Sequence, residues 1–362
     1  MKAVINHSRD FFITKQTPYT SNQTFPPLTY VLFAPLLAVT GPTAHFIITI
    51  IDVVCYIFIT LLFPMWTSRQ KPLSPMLMLF FISGLFSYGF QFELERGQFN
   101  VITMFLCLFS IWIYHYRHRY RYLAYSMFSI SIQLKLYPAI FIVMFIRDWD
   151  DWKSNIKRFL GLAAVNLALF FILGPKICVE FLKVTKGAMG NPGTWFVNHS
   201  IQCFVTVILT KSPWAKEYSG YSGLIQVLLL AFVAVCIFLV ILQAYRQRQT
   251  GINPYMLLAC TIGAMLIPAI SYDYKLSILA APVAMVFHKD CFAKIANYRS
   301  RLVISLLIFA FCAVYSSTLF SYCCKPPTLW LLSDSPALMA LLLITTVFSL
   351  MREPTRELQT AG

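Results

Sequence analysis

The stretch "ELERGQFNVITMFLCLFSIWIYHYRHRY" (residues 93–120) falls into three zones. Glu93, Glu95, Arg96, Gln98 and Asn100 make a polar lip. Residues 101–113 are apolar apart from Thr103 and Ser110. Tyr114 to Tyr120 then bring tyrosines, histidines and arginines together. An apolar run bounded in this way predicts a helix embedded in a bilayer, with tyrosine at the interface and arginine on the cytoplasmic side.

Composition extends that reading to the whole chain. Its 362 residues are 58% hydrophobic and only 12% charged, where a soluble domain carries about 25% charged residues. A membrane β-barrel would show alternating segments of about ten residues, and none are evident. The chain therefore reads as an all-α polytopic integral membrane protein. Embedded segments are expected near 28–40, 43–66, 74–91, 98–115, 122–134, 136–146, 158–175, 199–210, 222–244, 254–271, 274–288, 302–322 and 335–351. Those at 28–40, 122–134, 136–146 and 199–210 are too short to cross alone and read as half-helices or re-entrant pieces. Irregular backbone at that depth is tolerated only where protein or a water-filled cavity covers it, so the pattern predicts a cavity.

A net charge of +15 raises the question of nucleic acid. The basic residues are instead placed as membrane topology demands. More than half of the 29 lie in compact clusters at Arg69/Lys71, 117–121, 147–158, 246–248, 289–301 and Arg352/Arg356. These are expected on the cytoplasmic side, and nucleic acid is not an expected partner. Most of the ten cysteines, such as Cys55, Cys107, Cys236, Cys260 and Cys312, lie in apolar runs and read as packing residues. Cys323 and Cys324 are adjacent in a loop. No CxxC or Cys/His zinc spacing occurs, so neither a metal nor a cofactor is expected. Residues 1–27 are polar and lack the apolar core of a signal peptide.

That orientation gathers the N-terminal segment with Asp10, the lip at 93–100, Lys135, the long loop 176–198 and "SYDYK" (271–275) on the non-cytoplasmic face. Lys135 stands in the apolar "SIQLKLYPAIFIV", just ahead of Pro138. An ionisable residue there is a functional candidate, and an ammonium suits phosphate. Snorkelling to the interface is the alternative. Asp273 and Lys275 open another segment, as a site or as a loop ion pair. Gln98 and Asn100 can bond a ligand's hydroxyls or free backbone groups. In "GNPGTWFVNHSIQCFV" (190–205), Asn198 or Ser200 can cap a helix, and His199 is a ligand contact or a structural residue. Asn198, Asn6 and Asn22 also open glycosylation triplets. Asp52, mid-helix, reads as a buried hydrogen-bonding residue.

The order of these pieces resembles glycosyltransferase family 87, integral-membrane enzymes of the GT-C superfamily. The likeness rests on "TPYTSNQTFPPLTYVLFAPLL" (17–37), "ERGQFNVITMFL" (95–106), "SIQLKLYPAIFIVMFIRDW" (131–149) and "NHSIQCF" (198–204), with "SYDYKLSILAAP" (271–282) as a later polar start to a membrane helix. It implies a GT-C-like bundle of about 9–11 transmembrane helices. One transmembrane catalytic domain would span 1–351, with 1–27 external and 352–362 a cytoplasmic tail. The implied activity moves a hexose, commonly mannose, from a polyprenyl-phosphate donor to a glycolipid or glycan outside a bacterial plasma membrane. An acidic residue of the first external loop would act as general base, with inversion at the anomeric carbon.

The residues fit that chemistry. Arg96, Lys135 and Lys275 can neutralise a leaving phosphate. A carboxylate can take the acceptor's proton. Gln98, Asn100, Asn198 and His199 can hold sugar hydroxyls. The chain departs from the family in having no membrane helix ahead of residue 28. Either Asp10 is the base, or the true N-terminus lies upstream, or Glu93, Glu95 or Asp273 takes the role. Two other functions stay open: a transporter or flippase for a lipid-linked glycan, and a non-catalytic protein of envelope polysaccharide assembly. Inverted repeats that would favour a transporter are not evident. No Walker or Rossmann glycine motif appears, which argues against ATP-driven transport and nucleotide-sugar use.

Overall fold

A computed structural model describes residues 2–19, 24–68, 75–190, 198–211, 219–248, 251–288 and 335–351. The polar N-terminal segment forms α1 (Lys2–Phe12), whose Val4 and Ile5 are buried. The proline-rich entrance gives α2 (Pro27–Phe33), with Pro27 at the first turn where its missing N–H costs nothing, and a 3-10 turn Ala34–Ala38 follows. α3 (Gly41–Ile57) is capped by Thr40 and runs through a π-helical turn, Phe58–Leu62, into α4 (Phe63–Ser68). The expected segment 74–91 divides into α5 (Pro75–Leu85) and α6 (Tyr88–Arg96), because Ser87 caps a new helix by accepting from Phe90 N–H.

α7 (Asn100–Tyr116) packs along α8 (Arg121–Leu134), and a 3-10 stretch Tyr137–Phe145 returns beside them. α9 (Trp152–Phe170) and α10 (Pro175–Gly190) are bent by 102° around Gly174, whose φ of +95° suits glycine. The loop expected at 176–198 is thus largely a helix. Its signal was the spacing of Ile177, Phe181 and Val184, which seats one face on the core. α11 (Ile201–Lys211), α12 (Ser222–Arg246) and α13 (Pro254–Leu266) follow. The last described pieces are a 3-10 stretch Asp273–Leu279, α14 (Ala280–His288) and α15 (Ser335–Met351).

The described residues contain no strand beyond one isolated bridge, and the protein is an all-α membrane protein. Among the described residues two helices are long and apolar enough to cross a bilayer unbroken, Gly41–Thr67 and Ser222–Arg246, or up to four spans if each bent pair counts as one. The other expected segments that are described form shorter helices, 28–40, 122–134, 136–146 and 199–210 among them. The segment 302–322, Cys312, Cys323, Cys324, Asn22, the basic clusters at Arg69/Lys71 and 289–301, and the tail 352–362 lie outside the described residues.

α7 sets the distance between two ends of the molecule, about 25 Å at the helical rise. At its Tyr116 end, Arg248 pairs with exposed Asp150 at 3.1 Å and Arg158 donates to Phe145 O at 2.8 Å. The basic clusters 147–158 and 246–248 therefore share one end. At the Asn100 end the polar lip meets Phe25, Lys135 and Ser277. Asp52 is fully buried in α3, which packs on α7.

Candidate functional site

The site is built on the corner between α6 and α7, a bend of 108°. Gly97, with φ +54° and ψ +45°, ends α6 in the left-handed conformation that a side chain disfavours. α7 then starts without a side-chain cap from its own N-cap residue, Phe99. Glu93 fills that gap. Its Oε1 accepts from Val101 N–H at 2.9 Å, and its Oε2 accepts from Ser277 Oγ. A carboxylate at a helix N-terminus satisfies both the unpaired donors and the helix dipole. Glu93 has no exposed surface. One side chain thus joins α6, α7 and the 273–279 stretch. The two backbones also lie close: a Cβ on Gly89 would come 2.8 Å from Leu276 Cβ and 3.0 Å from Asp273 O.

The corner presents Gln98 to Lys135. α8 stops at Leu134, and Lys135 is extended (φ −148°, ψ +139°) ahead of the Pro138 turn. Lys135 Nζ donates to Gln98 Oε1 at 3.2 Å. It lies 4.4 Å from the Phe25 ring centroid, 4.6 Å from Phe99 and 5.8 Å from Tyr274. Aromatic faces stabilise a cation without neutralising it. Lys275 Nζ donates to Ile270 O at 3.1 Å and lies 5.5 Å from the Tyr137 ring, whose hydroxyl donates to Asn100 O at 2.9 Å. Phe25 is held in turn by Tyr19, whose hydroxyl donates to Phe25 O at 2.8 Å. Burial pushes the Tyr19 phenol well above the ordinary tyrosine range, so it stays a donor.

Both lysines border a cavity of about 520 Å³. Its other polar contributors are Thr24, Tyr137, Thr185 and Tyr274, and the rest of its wall is apolar, from Phe25, Leu136, Ile140 and the 263–270 stretch. Leu136 and Ile267 are 40% and 44% exposed, so the wall continues to the outer surface. A volume of this size with convergent cations on apolar walls suits an amphiphilic anion.

A second polar knot braces the cavity from behind. Asn198 and Tyr272 form the isolated bridge, and His199 N–H donates to Ser271 O at 2.7 Å. Asn198 Nδ2 donates to Ala269 O at 3.0 Å, and its Oδ1 accepts from Ser271 N–H at 2.8 Å. The His199 ring spans Asp273 Oδ1, 2.7 Å from Nε2, and Ser335 Oγ, 2.5 Å from Nδ1. All three are fully buried. The knot fixes the 269–273 backbone, which carries Tyr274 and Lys275.

Five sequence candidates therefore gather closely: Gln98, Asn100, Lys135 and Lys275 around the lysine pair, and Asp273 one residue from Tyr274. Asn198 and His199 join them through the knot. Asn100 is buried, and its side-chain amide has no partner among the described residues. Glu95 and Arg96 are exposed on the outer side of α6, with the Arg96 guanidinium 5.0 Å from the Phe92 ring. Asp10 is half-buried on α1 with Oδ2 3.4 Å from His7 Nδ1. Among the described residues, none that lines the cavity is acidic. Sequence reasoning did not single out Phe25, Phe99, Tyr137, Tyr274 or Thr185. Aromatic residues in so aromatic a chain give no local sign that they surround a cation.

The profile of Glycosyltransferase family 87 matches residues 24–271. The chain belongs to glycosyltransferase family 87. It is a membrane glycosyltransferase, and GT-C architecture is consistent with that membership. No curated protein matches the chain. The part of this family 87 member that the profile covers takes in every cavity-lining residue except Tyr274 and Lys275.

Proposed function

We propose that this glycosyltransferase moves a hexose, mannose as the first candidate, from a polyprenyl-phosphate donor to a glycolipid or glycan acceptor. The reaction would take place on the non-cytoplasmic face of a bacterial plasma membrane that the chain crosses several times, in a GT-C-type bundle. The observation that carries this reading is the lysine pair set in a largely apolar cavity. Lys135 and Lys275 supply charge for the phosphate, and the wall that reaches Leu136 and Ile267 suits a prenyl chain. In the transfer, the bond between the anomeric carbon and the phosphate oxygen breaks, and the acceptor oxygen bonds that carbon from the opposite face. The acceptor's proton passes to a carboxylate, and polyprenyl phosphate leaves with its added charge held by the lysines.

The proton acceptor in this proposal is Asp10, partly open to solvent on α1, with exposed Glu95 the other reachable carboxylate. α1 belongs to the apolar cluster of Val4, Ile5, Tyr30, Phe99 and Leu134 that backs the lysine corner. Asp273, also a sequence candidate, is fully buried with its Oδ1 2.7 Å from His199 Nε2, so its proposed part is to hold the 269–275 backbone.

The test is reconstitution of the purified protein with polyprenyl-phosphate [¹⁴C]mannose and a cell-envelope lipid fraction. Transfer of label with release of polyprenyl phosphate is expected, and Asp10→Asn should reduce it with donor binding preserved. Absence of transfer with any polyprenyl-phosphate hexose, alongside movement of a lipid-linked glycan across vesicles, would replace this reading with a transporter.

A further inference from the structure

Helical threonines usually return their hydroxyl to the carbonyl four residues back. This protein follows the habit: Thr60 donates to Tyr56 O, Thr103 to Phe99 O, Thr261 to Leu257 O and Thr346 to Leu342 O. Thr185 on α10 does not. Its Oγ1 is shut off from water and has no hydrogen-bond partner among the described residues. An unpaired buried hydroxyl costs stability, about 1–3 kcal/mol in general.

Thr185 is also on the wall of the cavity that holds Lys135 and Lys275. It reaches that wall from a helix separate from those carrying the lysines. α10 is pinned along its length: Phe181 is buried, Glu180 accepts from Thr17 Oγ1, and Met189 O accepts from Gln202 Nε2 at 2.5 Å. The helix is thus a fixed wall, and Thr185 is placed on it by the same face that seats Ile177 and Phe181. Rotation about χ1 exchanges the positions of the threonine methyl and hydroxyl with no backbone movement.

We infer that Thr185 is a specificity-determining residue whose hydroxyl bonds a hydroxyl of the donor's sugar while the lysines hold its phosphate. This rests on the reading of the cavity as the site of a lipid-phosphate sugar. A threonine on a helix separate from the lysines, whose hydroxyl χ1 rotation turns toward the cavity, discriminates a glycosylated phosphate from a bare one. A site that hydrogen-bonds a substrate hydroxyl rejects ligands lacking it, because the protein group is then left unpaired.

The test compares binding of undecaprenyl-phosphate mannose and bare undecaprenyl phosphate to detergent-purified protein. Thr185→Val keeps the shape and removes the hydroxyl. It should weaken the mannosylated lipid about five- to tenfold, leave the bare lipid unchanged, and be rescued by Thr185→Ser. Should the valine variant not fold, Thr185→Ala reads the same difference. Equal affinity of wild type and Thr185→Val for the mannosylated lipid overturns the inference, as does an equal loss for both lipids. Those results leave the cavity reading standing if Lys135→Ala weakens both lipids. Wild type that binds neither lipid, or Lys135→Ala that binds both normally, overturns the cavity reading itself.

Discussion

Lys135 Nζ and Gln98 Oε1, 37 residues apart in the chain, meet at 3.2 Å where one helix ends and another turns a corner. The amide orients the ammonium, and the Phe25 and Phe99 rings lie 4.4 and 4.6 Å from it without neutralising it. The charge stays available to an anion. Lys135→Ala should lower donor turnover about 10- to 100-fold, the range of a lost charged hydrogen bond. Lys135→Arg should recover only part, since a planar guanidinium does not fit where a compact ammonium sits. Gln98→Leu should cost less, because it frees the ammonium without removing it. Polyprenyl-phosphate release measured in proteoliposomes checks the order, and wild-type turnover by Lys135→Ala would contradict it.

Glu93 contributes through structure. Its two oxygens hold Val101 N–H and Ser277 Oγ with no exposure to solvent. Glu93→Ala should destabilise the protein by about 2–4 kcal/mol, since buried donors lose a charged acceptor. Glu93→Gln should fall between, keeping one acceptor oxygen for the helix end. Unfolding in a mild detergent ranks the three proteins.

Packing of α6 on the 273–279 stretch depends on Gly89. Gly89→Ala pushes a Cβ to 2.8 Å from Leu276 Cβ and 3.0 Å from Asp273 O. The backbone oxygen cannot step aside as a side-chain end would. A loss of about 1–3 kcal/mol is expected, with weaker donor binding as Lys275 shifts. Gly41→Ala is the control, since its Cβ meets nothing within 4 Å. Equal stability of the two variants would show that the contact is slack.

The His199–Asp273 pair offers a double-mutant cycle. Each single alanine substitution strands a buried partner and should cost about 3–5 kcal/mol. The double substitution should cost clearly less than the sum, because the two share one contact at 2.7 Å. Additive losses measured by denaturant titration would mean that the pair is not coupled.

Acid should loosen the start of α9. The Ser154 hydroxyl, and after it the Ser154 N–H that Asp151 accepts from at 3.2 Å, hold the Asp151 carboxyl below the ordinary aspartate range. A depressed folded-state value means that the contribution is fully present above the unfolded-state value and is lost as pH falls through the lowered one. Protection factors for hydrogen exchange at 152–155, taken against the intrinsic rate at each pH, should therefore fall in acid, and Asp151→Ala should remove that pH dependence. A pH-dependent fall that survives the substitution would assign the effect elsewhere.

Much of the candidate site is legible in the sequence. Glu93, Gln98, Asn100, Lys135, Asp273 and Lys275 stood out because polar groups beside apolar runs are expensive and so are informative. The helix within 176–198 was less visible, because its apolar spacing was diluted by lysines and glycines. Glu93 showed in the polar lip, but nothing local said that its carboxylate would close the neck of the next helix. Thr185 gave no sign at all, since a threonine in a helix ordinarily satisfies itself.

Composition and the spacing of apolar runs by themselves determined a helical protein for the bilayer, because a backbone in hydrocarbon must satisfy its own hydrogen bonds. They also determined which charges would be costly. Only the tertiary structure decided which of those charges meet. Lys135 faces Gln98 and three aromatic rings, whereas Asp273 faces His199. That division follows from a 108° corner and a cramped glycine contact, and both are set by packing between segments distant in the chain.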